Sequence, residues 1–368
     1  MKHPENDPKY AGLAVNQGVS QPPTINPYLK PHKKRKKDYS PSEYVEQIRK
    51  GNITLLSRAV TLVESQLREH QIAAQEIIEK CLPYSGNSVR IGITGVPGAG
   101  KSTSIDAFGT YLVKEKNKKL AVLAIDPSSE RSKGSILGDK TRMEELSREP
   151  GAFIRPSPTA GSLGGVARKT RETIILCEAA GYDAVFVETV GVGQSETAVH
   201  SMTDFFLLIQ LSGTGDELQG IKRGIMEMAD GIIVNKADGD NVEKAKLAAA
   251  QFRNALHLFP MPASGWQPKV LTYSGYYKTG IAEIWDMIDE YTAFTKGNGY
   301  FERKRNSQAK YWMYETINEQ LKTRFYNSPI IENQLKAKEL KVLNSEISSF
   351  AAANELLESY FADFKNIK

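Results

Sequence analysis

An open α/β fold with a doubly wound, mainly parallel sheet is what this 368-residue sequence predicts, and three features predict it. Beyond Val89, seven short apolar runs are separated by segments of helical periodicity. Several runs, such as LAVLAI at 120–125 and FFLLI at 205–209, are apolar at successive positions, as expected for parallel strands covered by helices on both faces. A glycine-rich turn ending in a lysine directly follows the first run. Such strand–helix–strand repetition implies right-handed crossovers, with ligands outside the carboxyl ends of the strands.

The first 40 residues are rich in Pro, Asn, Gln and Lys with little apolar periodicity, and are expected to form a disordered basic tail. They hold eight Lys/Arg, including HKKRKK at 32–37, against three acids, so the net charge of +5 belongs to this tail. A basic block can attract phosphate backbones or anionic lipid. Without interleaved aromatics or a recognition motif, a solvated tail is the expectation, with neither nucleic acid nor membrane as a partner. There is no run of about 18 apolar residues and no apolar segment behind Met1, so a cytoplasmic location is expected. Cys81 and Cys177 lack any C-x-x-C spacing and are expected as buried free thiols.

Residues 41–87 are expected as an N-terminal helical extension. Ser40 or Ser42 supplies a cap with an acid in the first turn, and Tyr44, Ile48, Leu55, Leu56, Val60, Val63 and Leu67 recur at helical spacing, enough for two or three helices. The α/β domain proper spans 88–298, with strands at VRIGIT, LAVLAID, GAFIRP, DAVFVE, DFFLLIQ, GIIVNK and KVLTYS. From 299 to 368 the periodicity is helical throughout, with Tyr311, Trp312, Tyr314, Ile317, Leu321, Phe325 and later Leu340, Leu343, Phe350 and Phe361. So much apolar surface suits either a cover for the core or a subunit interface.

The turn after the first strand reads Gly95, Val96, Pro97, Gly98, Ala99, Gly100, Lys101, Ser102, Thr103, matching G-x-x-x-x-G-K-[ST] between a strand and a helix. Its glycines let backbone N–H groups face phosphate oxygens, and the next helix points its positive dipole end at them. Lys101 is expected on the β/γ-phosphates and the Ser102 hydroxyl on Mg²⁺. The sixth strand runs into Asn235-Lys236-Ala237-Asp238. A carboxylate there accepts from both ring N1–H and the exocyclic amine of guanine, whereas adenine N1 would face it with an unpaired lone pair. Lys236 lies along the base, Asn235 ties this loop to the phosphate loop, and Ser274, Gly275 and Tyr276 line the far side of the base. GTP and GDP, not ATP, are the expected ligands.

Asp126, ending the second strand, suits Mg²⁺ coordination. The polar segment behind it carries Asp139 as its most plausible functional acid and can order around a γ-phosphate. Glu188, ending the fourth strand, is read as holder of a metal-bound water, and Gly191 as a backbone donor to the γ-phosphate. Val192 stands where a water-orienting Gln would follow that glycine, so hydrolysis is expected to be slow without help.

The motifs GVPGAGKST, AIDPSS, GSILGDKTRM, RPSPTAGSLGGVA, ETVGVGQSE, GDELQGIKRGIMEMAD and NKAD together resemble the GTPases associated with adenosylcobalamin-dependent acyl-CoA mutases, the methylmalonyl-CoA mutase chaperones. The likeness runs from about Tyr44 to Lys296. It implies a P-loop GTPase that gates cofactor delivery to the mutase, protects it, and works as a homodimer through its C-terminal helices. It also implies Asp126 and Asp139 in the first switch and Mg²⁺ site, Glu188 in the second, and a further switch with Asp216, Glu217, Gln219 and Lys222. Tyr276 departs from the family's pattern. Two other readings remain. A nickel-insertion GTPase calls for metal-binding tracts, and the five histidines are scattered. An ATP-using kinase of basic amino-acid transport, a label the family has also carried, is disfavoured by Asn235-Lys236-Ala237-Asp238.

Overall fold

The computed structural model describes residues 39–125, 143–156, 163–189, 195–212 and 223–365. Three helices come first, α1 (Pro41–Arg49), α2 (Ile53–Glu64) and α3 (Arg68–Cys81). Ser40 caps α1 in a reciprocal box with Glu43, and Asn52 caps α2 by accepting from Leu55 N at 3.2 Å. The basic tail up to residue 38 lies outside the described residues.

Seven strands follow, one for each apolar run: β1 (Val89–Gly95), β2 (Leu120–Ile125), β3 (Ala152–Arg155), β4 (Ala184–Thr189), β5 (Phe205–Leu211), β6 (Gly231–Asn235) and β7 (Lys269–Thr272). They form one sheet in the order β3-β2-β4-β1-β5-β6-β7, with every pairing parallel. Between them run α4 (Lys101–Lys114), α5 (Leu163–Ala179), α6 (Ser195–His200), α7 (Arg223–Met228) and α8 (Val242–Leu256). After β7 come α9 (Ile281–Gly297), α10 (Tyr300–Tyr326), α11 (Pro329–Leu343) and α12 (Ser349–Lys365).

Strands β2, β4 and β6 are buried at every residue, which explains their apolar sequences up to the polar ends of β4 (Glu188, Thr189) and β6 (Asn235). One core face packs α4 and α9 on the sheet through Phe108, Phe186, Trp285 and Ile288, with Phe108 stacked on Phe186 at 5.1 Å. The other includes α8, where Ala245, Ala248 and Phe252 meet Ile232 and Val234. Helices α1–α3 pack on each other and on α5. Glu64 of α2 pairs with Arg155, and its carbonyl accepts from Lys169 Nζ at 2.8 Å. Cys81 and Cys177 are free and buried. Among the described residues no helix is long and apolar enough to cross a membrane.

Beside the amino end of β1 lies a buried charge cluster. Glu178 of α5 accepts from Arg90 Nε at 2.8 Å and Nη2 at 2.9 Å, from Ser88 Oγ at 2.7 Å and from Gly86 N at 2.8 Å. Burial, with Arg90 alongside, pushes the Arg171 guanidinium down to about 10, so it still carries its charge at neutral pH. Glu178→Ala leaves buried cations without this anion, and is expected to lower the free energy of unfolding by about 3–5 kcal/mol in urea melts. A loss below about 1 kcal/mol would show that the cluster does not anchor α5 to β1.

Candidate functional site

The carboxyl ends of β1, β4, β6 and β7 converge on one side of the sheet. There β1 is flanked by β4 and β5, and the chain leaves it through the phosphate-loop sequence into α4. Gly98 and Gly100 hold φ of +79° and +82°. Gly100 has two reasons to lack a side chain, because a Cβ there would also stand 2.6 Å from Asn235 Nδ2. Lys101 opens α4, and its ammonium donates to the carbonyls of Gly95 at 2.9 Å and Val96 at 3.4 Å. Burial pushes the Lys101 pKa below the ordinary lysine value, while Glu188 and Glu196 act in the other direction.

Ser102 Oγ lies 3.5 Å from Glu188 Oε1. Glu188 is buried, in register with Ile93 of β1 on one side and Ala124 of β2 on the other. A hydroxyl and a carboxylate facing each other beside a phosphate loop make a hard-oxygen pair. That donor set fits Mg²⁺, which takes few protein ligands and completes its shell with substrate phosphates and water. Among the described residues no group of three His, Cys, Asp or Glu side chains forms a denser metal cluster. Beneath this pair, Thr189 Oγ1 donates to Thr94 Oγ1 at 2.9 Å, linking the carboxyl ends of β4 and β1.

Asn235, 3% exposed, joins the two halves of the site. Its Nδ2 donates to Ala99 O at 2.7 Å, and its Oδ1 accepts from Lys236 N at 2.7 Å and Gly275 N at 3.1 Å. Lys236 has φ +60°, a left-handed turn that carries the chain from β6 towards Asp238. Ser274 Oγ bonds the Asp238 carboxylate and also accepts from Tyr277 N at 3.1 Å. The loop 274–279 is closed by an antiparallel bridge between Ser274 and Thr279. Tyr276 is 79% exposed, with its ring edge-on to Tyr277 at 5.0 Å.

The structure therefore brings together residues 95–103, Glu188, Asn235, Lys236, Asp238, Ser274 and Gly275, and places Tyr276 on their outer rim. Asp126, Asp139, Gly191, Lys222 and the further-switch residues Asp216, Glu217 and Gln219 lie outside the described residues. Two contributors went unread in the sequence. Glu196, 6% exposed in the first turn of α6, is close enough to favour the charged form of Lys101. Lys278 ties the base-side loop to the segment before β3 through both oxygens of Glu145, at 2.7 and 2.6 Å. The first has a weak signal, an acid just after the glycine-rich ETVGVGQ; the second, spanning 133 positions, has none.

The sequence matches the family described as Methylmalonyl Co-A mutase-associated GTPase MeaB over residues 56–329. A putative GTPase of Caulobacter vibrioides is 49% identical over 310 residues, covering 84% of this chain and 94% of that protein. The methylmalonic aciduria type A homolog, mitochondrial, of Mus musculus is 44% identical over 321 residues, covering 84% and 77%. A solved structure described as LAO/AO transport system kinase aligns with a TM-score of 0.69 at 37% identity, over 88% of this chain and 98% of that one.

Asp238→Asn replaces an acceptor by a donor, and is expected to weaken GTP by roughly 100-fold while admitting xanthosine triphosphate. Competition against a fluorescent nucleotide measures both, and an unaltered base preference would count against guanine recognition at this loop.

Proposed function

The chain belongs to the methylmalonyl Co-A mutase-associated GTPase family MeaB, and on that premise we propose that it binds and hydrolyses GTP in the service of an adenosylcobalamin-dependent acyl-CoA mutase. The observation that carries the nucleotide part is the Asn235 bridge, which sets a base-side loop with Asp238 and Ser274 against the phosphate loop. Asp238 accepts from guanine N1–H and the exocyclic amine, and Ser274 fixes the orientation of that carboxylate. The backbone of 95–100 turns its N–H groups to the phosphates. Lys101 exchanges its two loop carbonyls for phosphate oxygens.

Ser102 and Glu188 are the described residues that would hold Mg²⁺, with Asp126 and Asp139 assigned beside them by family likeness. When bound, the ion neutralises charge on the phosphate oxygens during transfer. Gly191 and Lys222 are assigned to the γ-phosphate and to the partner-sensing switch on the same likeness. With Val192 after Gly191 the water-orienting set is incomplete, which supports slow turnover awaiting a partner.

The partner reading rests on the family description. A homodimer through 299–368 is supported by the exposed apolar residues of that segment, Tyr311, Met313, Tyr314, Ile317 and Leu321 on α10 and Phe350 and Phe361 on α12. The remaining divisions proposed are a basic tail over 1–40, a helical extension over 41–87 and the GTPase domain over 88–298, in a cytoplasmic protein. The solved relative described as a transport system kinase raises an ATP-dependent alternative, which the carboxylate at 238 disfavours.

GTP turnover measured with and without a purified adenosylcobalamin-dependent acyl-CoA mutase tests the reading. Stimulation of at least about tenfold is expected, since a group supplied in trans can complete such a site. No response to any such mutase would leave the partner assignment without support.

A further inference from the structure

Helix α6 is only six residues long, roughly 9 Å. It starts just beyond the glycine-rich segment that follows β4, with Ser195 and Glu196 buried in its first turn. Its last turn is closed partly from within, since Ser201 N donates to Thr197 O at 3.0 Å, Ser201 Oγ to Ala198 O at 2.7 Å and Met202 N to Val199 O at 3.1 Å; the carbonyls at and after its end need partners from elsewhere.

The partners of His200 O and of the turn beyond it come from the C-terminal region. Gln308 Nε2 donates to Thr203 O at 2.8 Å and His200 O at 3.3 Å, and Trp312 Nε1 donates to Ser201 O at 3.0 Å. Lys304 Nζ donates to Asp204 O at 2.7 Å. These three donors sit at i, i+4 and i+8 of α10, one face of one helix. Together they cap the carbonyls at and just beyond the end of α6, and the Lys304 cation stands at the negative end of its dipole.

The turn is also fixed to the sheet. Asp204 accepts from Arg90 N at 2.8 Å and from Arg305 Nε at 2.8 Å. A Cβ on Gly92 of β1 would stand 2.8 Å from Val199 Cγ1 and 2.9 Å from Thr203 Oγ1, so α6 lies hard against β1 with no slack. The far end of α6 is therefore held by β1 and α10. At the near end, the buried Ser195 Oγ has no hydrogen-bond partner among the described residues.

Resting on the GTPase reading above, we infer that α10 sets the rate of nucleotide turnover through α6: Gln308 and Trp312 are positioning residues that fix the short helix carrying Glu196 towards the phosphate loop. Neither residue belongs to the candidate nucleotide site; both bond the turn at residues 200–203. Each acts on where Glu196 stands relative to Lys101. The helix that carries the exposed apolar stripe is then mechanically continuous with the nucleotide site.

The test is single-turnover GTP hydrolysis by the full chain carrying Gln308→Leu or Trp312→Phe, with nucleotide affinity measured in parallel. The rate is expected to fall about tenfold while the GTP dissociation constant stays within about twofold. Gln308→His, whose ring Nε2–H offers a donor at similar reach, should restore the rate. Unchanged rates in both variants overturn the inference. So does a loss of rate that His fails to restore and that tracks a lowered unfolding midpoint, because that is the mark of a merely structural contact. A second readout needs no turnover. The tryptophan emission attributable to Trp312, taken as wild type minus Trp312→Phe, should differ between GDP and a non-hydrolysable GTP analogue, and no difference overturns the inference. Absence of turnover in the wild type would strike at the GTPase reading instead, leaving the emission measurement to decide this one.

Discussion

The side chain of Asn235 is the constraint on which the site depends. One buried amide spans three backbone segments, accepting from its own turn and from the base-side loop while donating to the phosphate loop. A buried amide bonded to three segments ties them together, and leaving any of these partners unpaired is costly. The absence of a side chain at Gly100 follows, since that amide occupies the space. So does the left-handed turn at Lys236, which lets the chain bend immediately after Asn235 and bring Asp238 to Ser274.

The sheet supplies the frame for this bridge. Placing β1 between β4 and β5 sets the phosphate loop beside Glu188 on one side, and β6 and β7 deliver the base-side groups on the other. At the opposite end of the strands, charged groups do the fastening: Glu178 holds Arg90, and Asp204 receives Arg305 from α10. Helix α10 is thus locked to the α/β domain by buried polar contacts, which fix its orientation more tightly than apolar packing alone. The apolar residues facing outward on α10 and α12 remain available for a second surface.

All seven strands were legible because each is a short, mainly apolar run bounded by turn residues, and the central parallel strands leave that imprint directly. The phosphate loop and Asn235-Lys236-Ala237-Asp238 were legible because their chemistry needs particular residues at fixed local spacing. Contacts across long sequence separations were not. Gln308 bonded to Thr203, or Lys278 to Glu145, is a single side chain meeting a group more than a hundred positions away, and no periodicity records it. Of helix α6 only the polar start after the glycine-rich turn was legible, since six residues are too few to show a 3.6-residue repeat. No role for Glu196 followed from that start.

The central claim, that Asn235 makes one site of two loops, is tested most directly by inorganic pyrophosphate, a ligand with no base. Calorimetric titration of wild type and Asn235→Ala should show pyrophosphate weakened by about tenfold in the variant, because the phosphate loop loses its support at Ala99. GDP should weaken further still. Pyrophosphate affinity unchanged by the substitution, with GDP alone affected, would contradict the account and make the phosphate and base loops independent halves.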